Sequence, residues 1–326
     1  MSGSIEPRRR SRVRPAVLAV LLIALAVTTP QGTVGAGETA GLTPTPYSGL
    51  IAVYASREAA RSRQLGDFWN RIAGATGEPA GDFADEAAAA MDELQGGLAT
   101  IELQFERRYS ALGVLGGDAY DPAIVPSQFT ADVTNIHFPL VPGRTLVYEG
   151  LGPEGLERHE VTVLETTRTI DGVVCREVRT LETLAGEVRE SLVDWYAQDQ
   201  QGNVWHFGRC AQHLTDGFID GMEGSWRAGV RQALPGIVKP VQPLAGQSFR
   251  QELAVNVAES MGSIVDVGTT ATLGIGTYVD CIEIEESNFL EPDEEEHRIY
   301  APAIGLVRET DAVTGQSLDL IQITTN

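Results

Sequence analysis

The chain has 326 residues, of which 43% are hydrophobic and 21% are charged, a balance typical of a globular protein rather than a disordered one. Its formal net charge of −21 repels phosphate backbones and therefore excludes nucleic-acid binding. The three cysteines are an odd number, which excludes a framework of fully paired disulfides.

The N-terminus has the pattern of a secretory signal. Five arginines precede an apolar run from Ala16 to Val27, which is too short to cross a bilayer comfortably. The small residues Val34-Gly35-Ala36 suit cleavage by signal peptidase. We predict a signal peptide at residues 1–36, a flexible spacer at 37–47, and a soluble exported protein with no stable membrane span. Retention of the signal as a membrane anchor is the alternative.

The next region has helical periodicity. Apolar residues recur at alternating steps of three and four from Phe83 to Leu112, and Leu65, Trp69 and Ile72 have helical spacing. The segment Gly74 to Gly81 contains three glycines and a proline, which would separate two helices. The sequence therefore predicts an antiparallel helical hairpin within residues 48–130.

The remaining residues, 131–326, have the pattern of antiparallel strands. Short runs of alternating or β-branched residues are separated by Gly, Asp and Asn about every ten residues. The predicted fold class is α+β, in which the helical hairpin accompanies a large antiparallel β-sheet or a partly closed barrel.

Matching landmarks indicate an internal duplication of the β region. Four pairs are separated by 103 to 106 residues: Gly143 and Gly246, Cys175 and Cys281, Tyr196 and Tyr300, and Gly202 and Gly305. We predict two similar meander units at 138–210 and 243–326, joined by a connector at 211–242. The connector ends in a segment with two prolines, Pro235 to Pro240, which is predicted not to form a central strand.

The stretch DWYAQDQQGNVWHFG, Asp194 to Gly208, concentrates aromatic residues around a polar turn. It predicts a β-hairpin with its turn at Asp199 to Asn203, held by aromatic side chains that face each other across the strands. We interpret this stretch as a structural unit first and a binding site second. The candidate ligand-binding residues are Trp195, Tyr196, Trp205, His206 and Tyr300.

Several segments resemble a group of uncharacterised exported bacterial β-rich proteins. They are FPLVPGRTLVYEG, DWYAQDQQGNVWHFG, GSWRAGVRQALPGIVKP and YAPAIGLVRE, within Phe138 to Glu309. The shared patterns are WYAQDxxGNVW, GSWxAGVxxALPGIV and YAPxxGLV. The resemblance implies a β-rich exported domain and no known activity. The chain departs from the group at Asn135-Ile136-His137, where the group more often has Asn-Pro-Tyr, and at Cys210.

No motif indicates catalysis, a metal or a cofactor. The chain has no G-x-S-x-G elbow, no metalloprotease spacing after His159-Glu160, and no Walker loop, because its single lysine, Lys239, is followed by proline. His206 and His213 lie near acidic residues without the ordered spacing of a calcium loop. The Glu291 to Glu296 run is predicted to be a solvated loop.

The cysteines are predicted to be buried thiols rather than nucleophiles. Glu177 and Glu283 share the strand faces of Cys175 and Cys281, and a nearby carboxylate raises a thiol pKa. The predicted hairpin register puts Cys210 too far from Cys175 for a disulfide, while pairing of Cys175 with Cys281 stays open.

The absence of motifs favours a non-enzymatic cell-envelope protein that binds an apolar ligand or another exported protein. One alternative is a hydrolase of cell-envelope material, for which the candidate residues are His206, Asp194 and Glu296-His297. The other alternative is a structural or assembly factor that acts through the helical hairpin.

Overall fold

The computed structural model describes residues 48–78, 80–292 and 294–325. The predicted signal peptide at 1–36 and the spacer at 37–47 lie outside these described residues.

The described part of the chain begins with two helices, α1 (Ser48–Ala75) and α2 (Ala80–Leu115). The rings of Tyr54 and Phe105 pack edge to face between them at 5.0 Å, and the Arg57 guanidinium lies 2.5 Å from the Glu102 carboxylate. The predicted helical hairpin is confirmed, although its second helix ends at Leu115 rather than near 130. Within the described residues, neither helix combines the length and the hydropathy that a membrane crossing requires.

Among the residues that the structure describes, fifteen antiparallel strands follow a single turn of 3₁₀ helix at Pro126–Gln128. They are β1 (Phe129–Thr130), β2 (Arg144–Gly152), β3 (Gly155–Ile170), β4 (Val173–Leu184), β5 (Glu187–Asp199), β6 (Val204–Thr215), β7 (Phe218–Gly221), β8 (Trp226–Arg227), β9 (Leu234–Lys239), β10 (Ser248–Ala254), β11 (Ala258–Leu273), β12 (Gly276–Asn288), β13 (Glu295–Ala301), β14 (Gly305–Asp311) and β15 (Ser317–Thr325).

Twelve of these strands form a closed ring. Their order is β5, β4, β3, β2, β15, β14, β13, β12, β11, β10, β9 and β6, and β6 pairs back onto β5. The short strands β1, β7 and β8 pair with members of the ring but stand outside it. The α+β class is therefore correct, whereas the predicted open sheet or partly closed barrel is in fact a closed barrel.

Strand β9 closes the ring, contrary to the prediction that its prolines exclude it from a central position. Its two edges use different residues: Pro235 pairs with β10, and Gly236, Ile237 and Lys239 pair with β6. Gly236 permits the close approach, because a Cβ there would lie 2.4 Å from the carbonyl oxygen of Arg250. The Pro235 carbonyl also accepts a hydrogen bond of 2.8 Å from the Tyr120 hydroxyl. A proline is tolerated because the pairing is short on each side.

The segment before β2 fills part of the barrel interior. Phe138 contacts the rings of Tyr196 and Tyr300, with centroid distances of 5.2 and 6.4 Å. These two tyrosines belong to β5 and β13, which lie far apart in the ring. Val133 and Leu140 of the same segment are buried among valines of β3, β4, β6 and β9. This part of the interior is therefore a packed apolar core.

The helical hairpin is fastened to the barrel through the second half of α2. Arg108 forms a buried ion pair with Glu259 of β11, with Nε and Oε2 2.8 Å apart. Gln104 and Arg107 donate hydrogen bonds of 2.8 Å to the carbonyls of Leu290 and Pro292. These contacts hold the loop between β12 and β13 against the helix.

Two glycines that precede strands in the two halves of the β region have matching backbone geometry. Gly143 has φ of 78° and donates its N–H to Val163 at 2.9 Å. Gly246 has φ of 81° and donates its N–H to Ile264 at 2.8 Å. The positive φ at both positions favours glycine.

Candidate functional site

The barrel encloses a cavity beside its apolar core. Its larger part has a volume of about 570 Å³, and a second part has a volume of about 220 Å³. The two parts adjoin, because six residues line both of them: Tyr196, Arg209, Glu291, Glu294, Glu296 and Arg298.

The lining of the cavity is strongly charged. It includes three arginines, Arg144, Arg209 and Arg298. It also includes ten carboxylates, which are Glu157, Glu182, Glu190, Asp194, Glu252, Glu286, Glu291, Glu294, Glu296 and Glu309. Side chains alternate between the faces of a strand, so every second residue of these strands points inward. Apolar residues, among them Leu192, Leu306 and Leu318, line the rest of the larger part, so the lining is a mixture of charged and apolar side chains.

A histidine held between two carboxylates lies in the barrel wall. His206 Nε2 is 3.0 Å from Asp194 Oδ1, and His206 Nδ1 is 3.0 Å from Glu252 Oε2. Burial alone would lower the pKa of His206, but the hydrogen bonds to both carboxylates raise it to about 9. Burial opposes ionisation of Asp194, yet Arg209 and His206 lower its pKa to about 2.

This arrangement limits what His206 can do. Both ring nitrogens are occupied and the ring is protonated at neutral pH, so His206 offers no lone pair to a proton or a metal ion. Its ring stacks on Tyr196 with a centroid distance of 5.0 Å. His206 is therefore a buried cation that, together with Arg209, balances the charges of Asp194 and Glu252.

A second charge network surrounds Arg298. Its guanidinium lies 2.8 Å from Glu286, 2.5 Å from Glu296 and 2.8 Å from Glu309. Glu286 also accepts a hydrogen bond of 3.2 Å from the Tyr300 hydroxyl and lies 3.5 Å from Lys239 Nζ. Three carboxylates thus occupy all sides of this guanidinium.

Lys239 is buried behind this network. Its ammonium lies 3.7 Å from the centroid of the Tyr300 ring and donates a hydrogen bond of 2.8 Å to the Val238 carbonyl. Burial lowers the pKa of Lys239 to about 8. An ammonium group is therefore held by a carboxylate, a carbonyl and an aromatic face.

Arg209 is bound less completely than Arg298. Its Nε donates a hydrogen bond of 2.7 Å to Asp194. Its two terminal nitrogens have no hydrogen-bond partner among the described residues. The side chain is 40% exposed and lines both parts of the cavity. One edge of this guanidinium is therefore available to a ligand.

Glu291 and Glu294 form an acidic pair at the loop between β12 and β13. Neither has an ion-pair partner within the part of the chain that the structure describes, although Asn288 donates a hydrogen bond of 2.7 Å to Glu291. Burial and the neighbouring charge of Glu291 raise the pKa of Glu294 to about 7. Both side chains are exposed, so water solvates the pair, and Glu294 is only partly ionised near pH 7.

The structure separates the five residues predicted to bind a ligand. Tyr196 and His206 line the cavity, and Tyr300 lies in its wall. Trp195 and Trp205 point to the other face of the barrel, where they pack with the buried Phe207. Trp195 Nε1 donates to Glu177 at 3.1 Å.

The predicted turn at Asp199 to Asn203 is a structural unit. Asp199 Oδ1 accepts the backbone N–H groups of Gly202 and Asn203, each at 2.9 Å. Its Oδ2 accepts the indole N–H of Trp205 at 2.8 Å. Trp205 therefore supports the turn.

The residues considered for a hydrolase are also divided. Asp194 and Glu296 line the cavity, while His297 lies on the outer face of β13, because neighbouring residues of a strand point in opposite directions. Sequence reasoning missed Arg209, Arg298 and Glu252. The signal that could have found Arg298 is its strand parity with Tyr300, and Arg209 could have been found only through its place opposite Asp194 in the β5–β6 hairpin.

One group of side chains outside the cavity has the geometry of metal ligands. Glu285, Glu295 and His297 have ligand atoms within 4.8 Å of one another on the outer face of β12 and β13. The Arg107 guanidinium lies 3.6 Å from Glu295 and occupies part of this space. His213, which the sequence places near acidic residues, contacts Glu190 at 2.7 Å.

The three cysteines are free thiols. Cys175 and Cys281 are buried, as predicted, and burial raises the pKa of Cys175 to about 12. In the observed register, Glu177 lies opposite Trp195 and Cys210 lies opposite Val193.

Comparison with known proteins identifies no family. No family model and no curated protein matches this chain. One solved structure, described as a "putative lipoprotein" from Parabacteroides distasonis ATCC 8503, aligns with a TM-score of 0.32 and 12% sequence identity. The alignment covers 58% of this chain and 99% of that protein, and a similarity this low carries no inference about function.

Proposed function

We propose that this protein is exported and binds a small polar ligand inside its barrel. The observation that carries the proposal is the unused guanidinium edge of Arg209, which faces a cavity of about 570 Å³. That volume is in the range of small-molecule sites, in which a few polar groups fix the orientation of the ligand. The basic and apolar N-terminus supports export.

A polar ligand fits the lining better than the apolar ligand that the sequence favours. An apolar molecule would displace water from Arg209 and the carboxylates without replacing their hydrogen bonds, which costs free energy. Leu192, Leu306 and Leu318 provide apolar patches in the same cavity. These patches suit the carbon skeleton of a polar molecule.

A thermal-shift screen tests this proposal. Polar metabolites are expected to raise the melting temperature of the purified exported protein, and the shift is expected to disappear in Arg209→Gln. The matched control is Arg308→Gln, because Arg308 is a barrel arginine that pairs with Asp319 at 2.6 Å on the outer face. A shift that survives Arg209→Gln would place the ligand elsewhere and contradict the proposal.

The second candidate is a hydrolase of cell-envelope glycans. One cavity contains carboxyl groups whose pKa values are moved in opposite directions: that of Glu294 is raised to about 7, whereas that of Glu286 is lowered, mainly by Arg298 and Lys239 against the effect of burial. A carboxyl group with a raised pKa can act as the general acid of a reaction, and a carboxyl group with a lowered pKa can act as its base or nucleophile. Release of reducing sugar from envelope glycans, abolished in Glu294→Gln, would support this candidate.

The site lies between two halves of the β region that are proposed to be duplicated units. The matching geometry of Gly143 and Gly246 supports this proposal. Register shifts also precede Tyr196 and Tyr300 in the corresponding strands. Superposition of residues 138–210 on 243–326 tests it, and a failure of these two tyrosines to coincide would contradict it.

A further inference from the structure

Two charged groups that line the cavity keep some of their hydrogen-bonding capacity free among the described residues, and one of them, the pair Glu291 and Glu294, is exposed to solvent. One is the outer edge of Arg209, whose terminal nitrogens lack partners among the described residues. The other is the pair Glu291 and Glu294, which has no compensating cation in that same part of the chain. By contrast, the Arg298 guanidinium contacts three carboxylates and His206 contacts two. A ligand would therefore meet one positive edge and one negative pair.

The complement of these groups is a molecule with a carboxylate and an ammonium. The planar edge of an arginine matches a carboxylate through two parallel hydrogen bonds. An ammonium has three donors, which suit a pair of carboxylates. The protein holds the ammonium of Lys239 differently, with a single carboxylate, Glu286, at 3.5 Å and the Tyr300 ring at 3.7 Å.

We propose that the ligand is a short peptide with free termini, whose carboxylate binds Arg209 and whose ammonium binds Glu291 and Glu294. This proposal rests on the proposed function. A peptide fits better than a free amino acid, because the cavity of about 570 Å³ is larger than one residue fills. Its side chains would contact Leu192, Leu306 and Leu318, which line the same cavity.

Isothermal titration calorimetry with trialanine in four forms tests the assignment of both ends. The forms are the free peptide, the N-acetylated peptide, the C-amidated peptide and the peptide blocked at both ends. We expect the free peptide to bind, and each block to weaken binding by about 10- to 100-fold, the value of a hydrogen bond to a charged group. Alanine is expected to bind more weakly than trialanine.

Variants assign each end to its residues. Arg209→Gln is expected to weaken binding of the free and the N-acetylated peptides, and to leave the C-amidated peptide unchanged. Glu294→Gln is expected to show the reverse pattern, weakening the free and the C-amidated peptides only. When a substitution has no effect on a peptide whose matching end is blocked, the two changes are non-additive, which indicates a direct contact between that residue and that end. Arg308→Gln is the control and should leave all affinities unchanged.

Folding of each variant is measured separately by its melting temperature. Arg209→Lys keeps a positive charge beside Asp194 but lacks the planar edge, so it is expected to fold and still lose affinity for the free carboxylate. Equal binding of Arg209→Lys and the unmodified protein would overturn the assignment of the carboxylate.

The outcomes distinguish this proposal from the proposed function. If the blocked peptides bind as well as the free peptide, the assignment of termini is wrong. If trialanine does not bind while another polar compound gives a shift that depends on Arg209, the peptide proposal is wrong and the proposed function stands. If no polar compound binds in an Arg209-dependent way, both are wrong. If alanine binds as tightly as trialanine, the ligand is an amino acid rather than a peptide.

Discussion

Removal of the buried imidazolium is expected to change the pH dependence of stability. The pKa of His206 is 6.5 in an unperturbed side chain and about 9 in the folded protein. At about 1.4 kcal/mol for each tenfold change in proton affinity, this difference contributes roughly 3 kcal/mol to the free energy of unfolding. Because the folded-state pKa is raised, the contribution is complete below about pH 6.5 and is lost as the pH rises through 9.

The assay is urea unfolding of the protein and of His206→Gln at pH 6.5, 8 and 9.5, followed by tryptophan fluorescence. The difference in the free energy of unfolding should be largest at pH 6.5 and should shrink by roughly 2 to 3 kcal/mol by pH 9.5. Lys239, whose pKa is lowered to about 8, also titrates in this pH range, and its contribution to the free energy of unfolding rises with pH instead of falling. Because both proteins contain Lys239, its contribution cancels when their free energies of unfolding are subtracted.

The control for this experiment is His213→Gln. His213 contacts Glu190 at 2.7 Å, but its side chain is 34% exposed, so water screens this ion pair. His213→Gln should therefore lower the free energy of unfolding by less than about 1 kcal/mol. A difference between the protein and His206→Gln that stays constant from pH 6.5 to 9.5 would mean that His206 is neutral in the fold. The reading of His206 as a buried cation would then be refuted.

Three further predictions concern closure, the hairpin and the thiols. Gly236→Ala should lower the free energy of unfolding in urea by about 1 to 3 kcal/mol, because the added Cβ would collide with the backbone of β10. An unchanged urea midpoint would contradict the close approach of β9 and β10 at this residue. Arg108→Met leaves Glu259 buried without its cation and should lower the free energy of unfolding by about 3 kcal/mol or more. Faster proteolysis of the two helices is the measurement that would show it. In the native protein at pH 8, a thiol reagent should modify Cys210, which is partly exposed, and spare Cys175; modification of Cys175 without unfolding would contradict its burial.

The helices and the antiparallel strands could be predicted from local patterns. The apolar stripe of α2 follows helical spacing, and the turn at Asp199 to Asn203 has the polar residues that such a turn needs. Closure of the ring could not be predicted in this way. Strand β9 contains Pro235 and has the composition of a loop, and only its position between β6 and β10 gives it partners. Tertiary context outweighs local preference at this strand.

The site was less accessible to sequence reasoning than the fold. Asp194, His206 and Glu252 lie on β5, β6 and β10, and the last of these neighbours the others only because the ring is closed. The acidic run from Glu291 to Glu296 has the composition of a solvated loop, as predicted for it. Glu291 and Glu294 are indeed exposed in the loop between β12 and β13, but together with Glu296 they also line the cavity, which the sequence did not indicate.

The number of strands sets how much space the barrel interior leaves between its side chains. A barrel of eight strands is narrow enough for its side chains to fill, whereas twelve strands enclose more space. Phe138 and the segment around it occupy part of that space with apolar packing. Filling the remainder with more apolar side chains would stabilise the fold at least as well as buried ion networks, which seldom improve stability. The charge that Arg209 turns toward the cavity therefore supports the proposed recognition of a charged ligand.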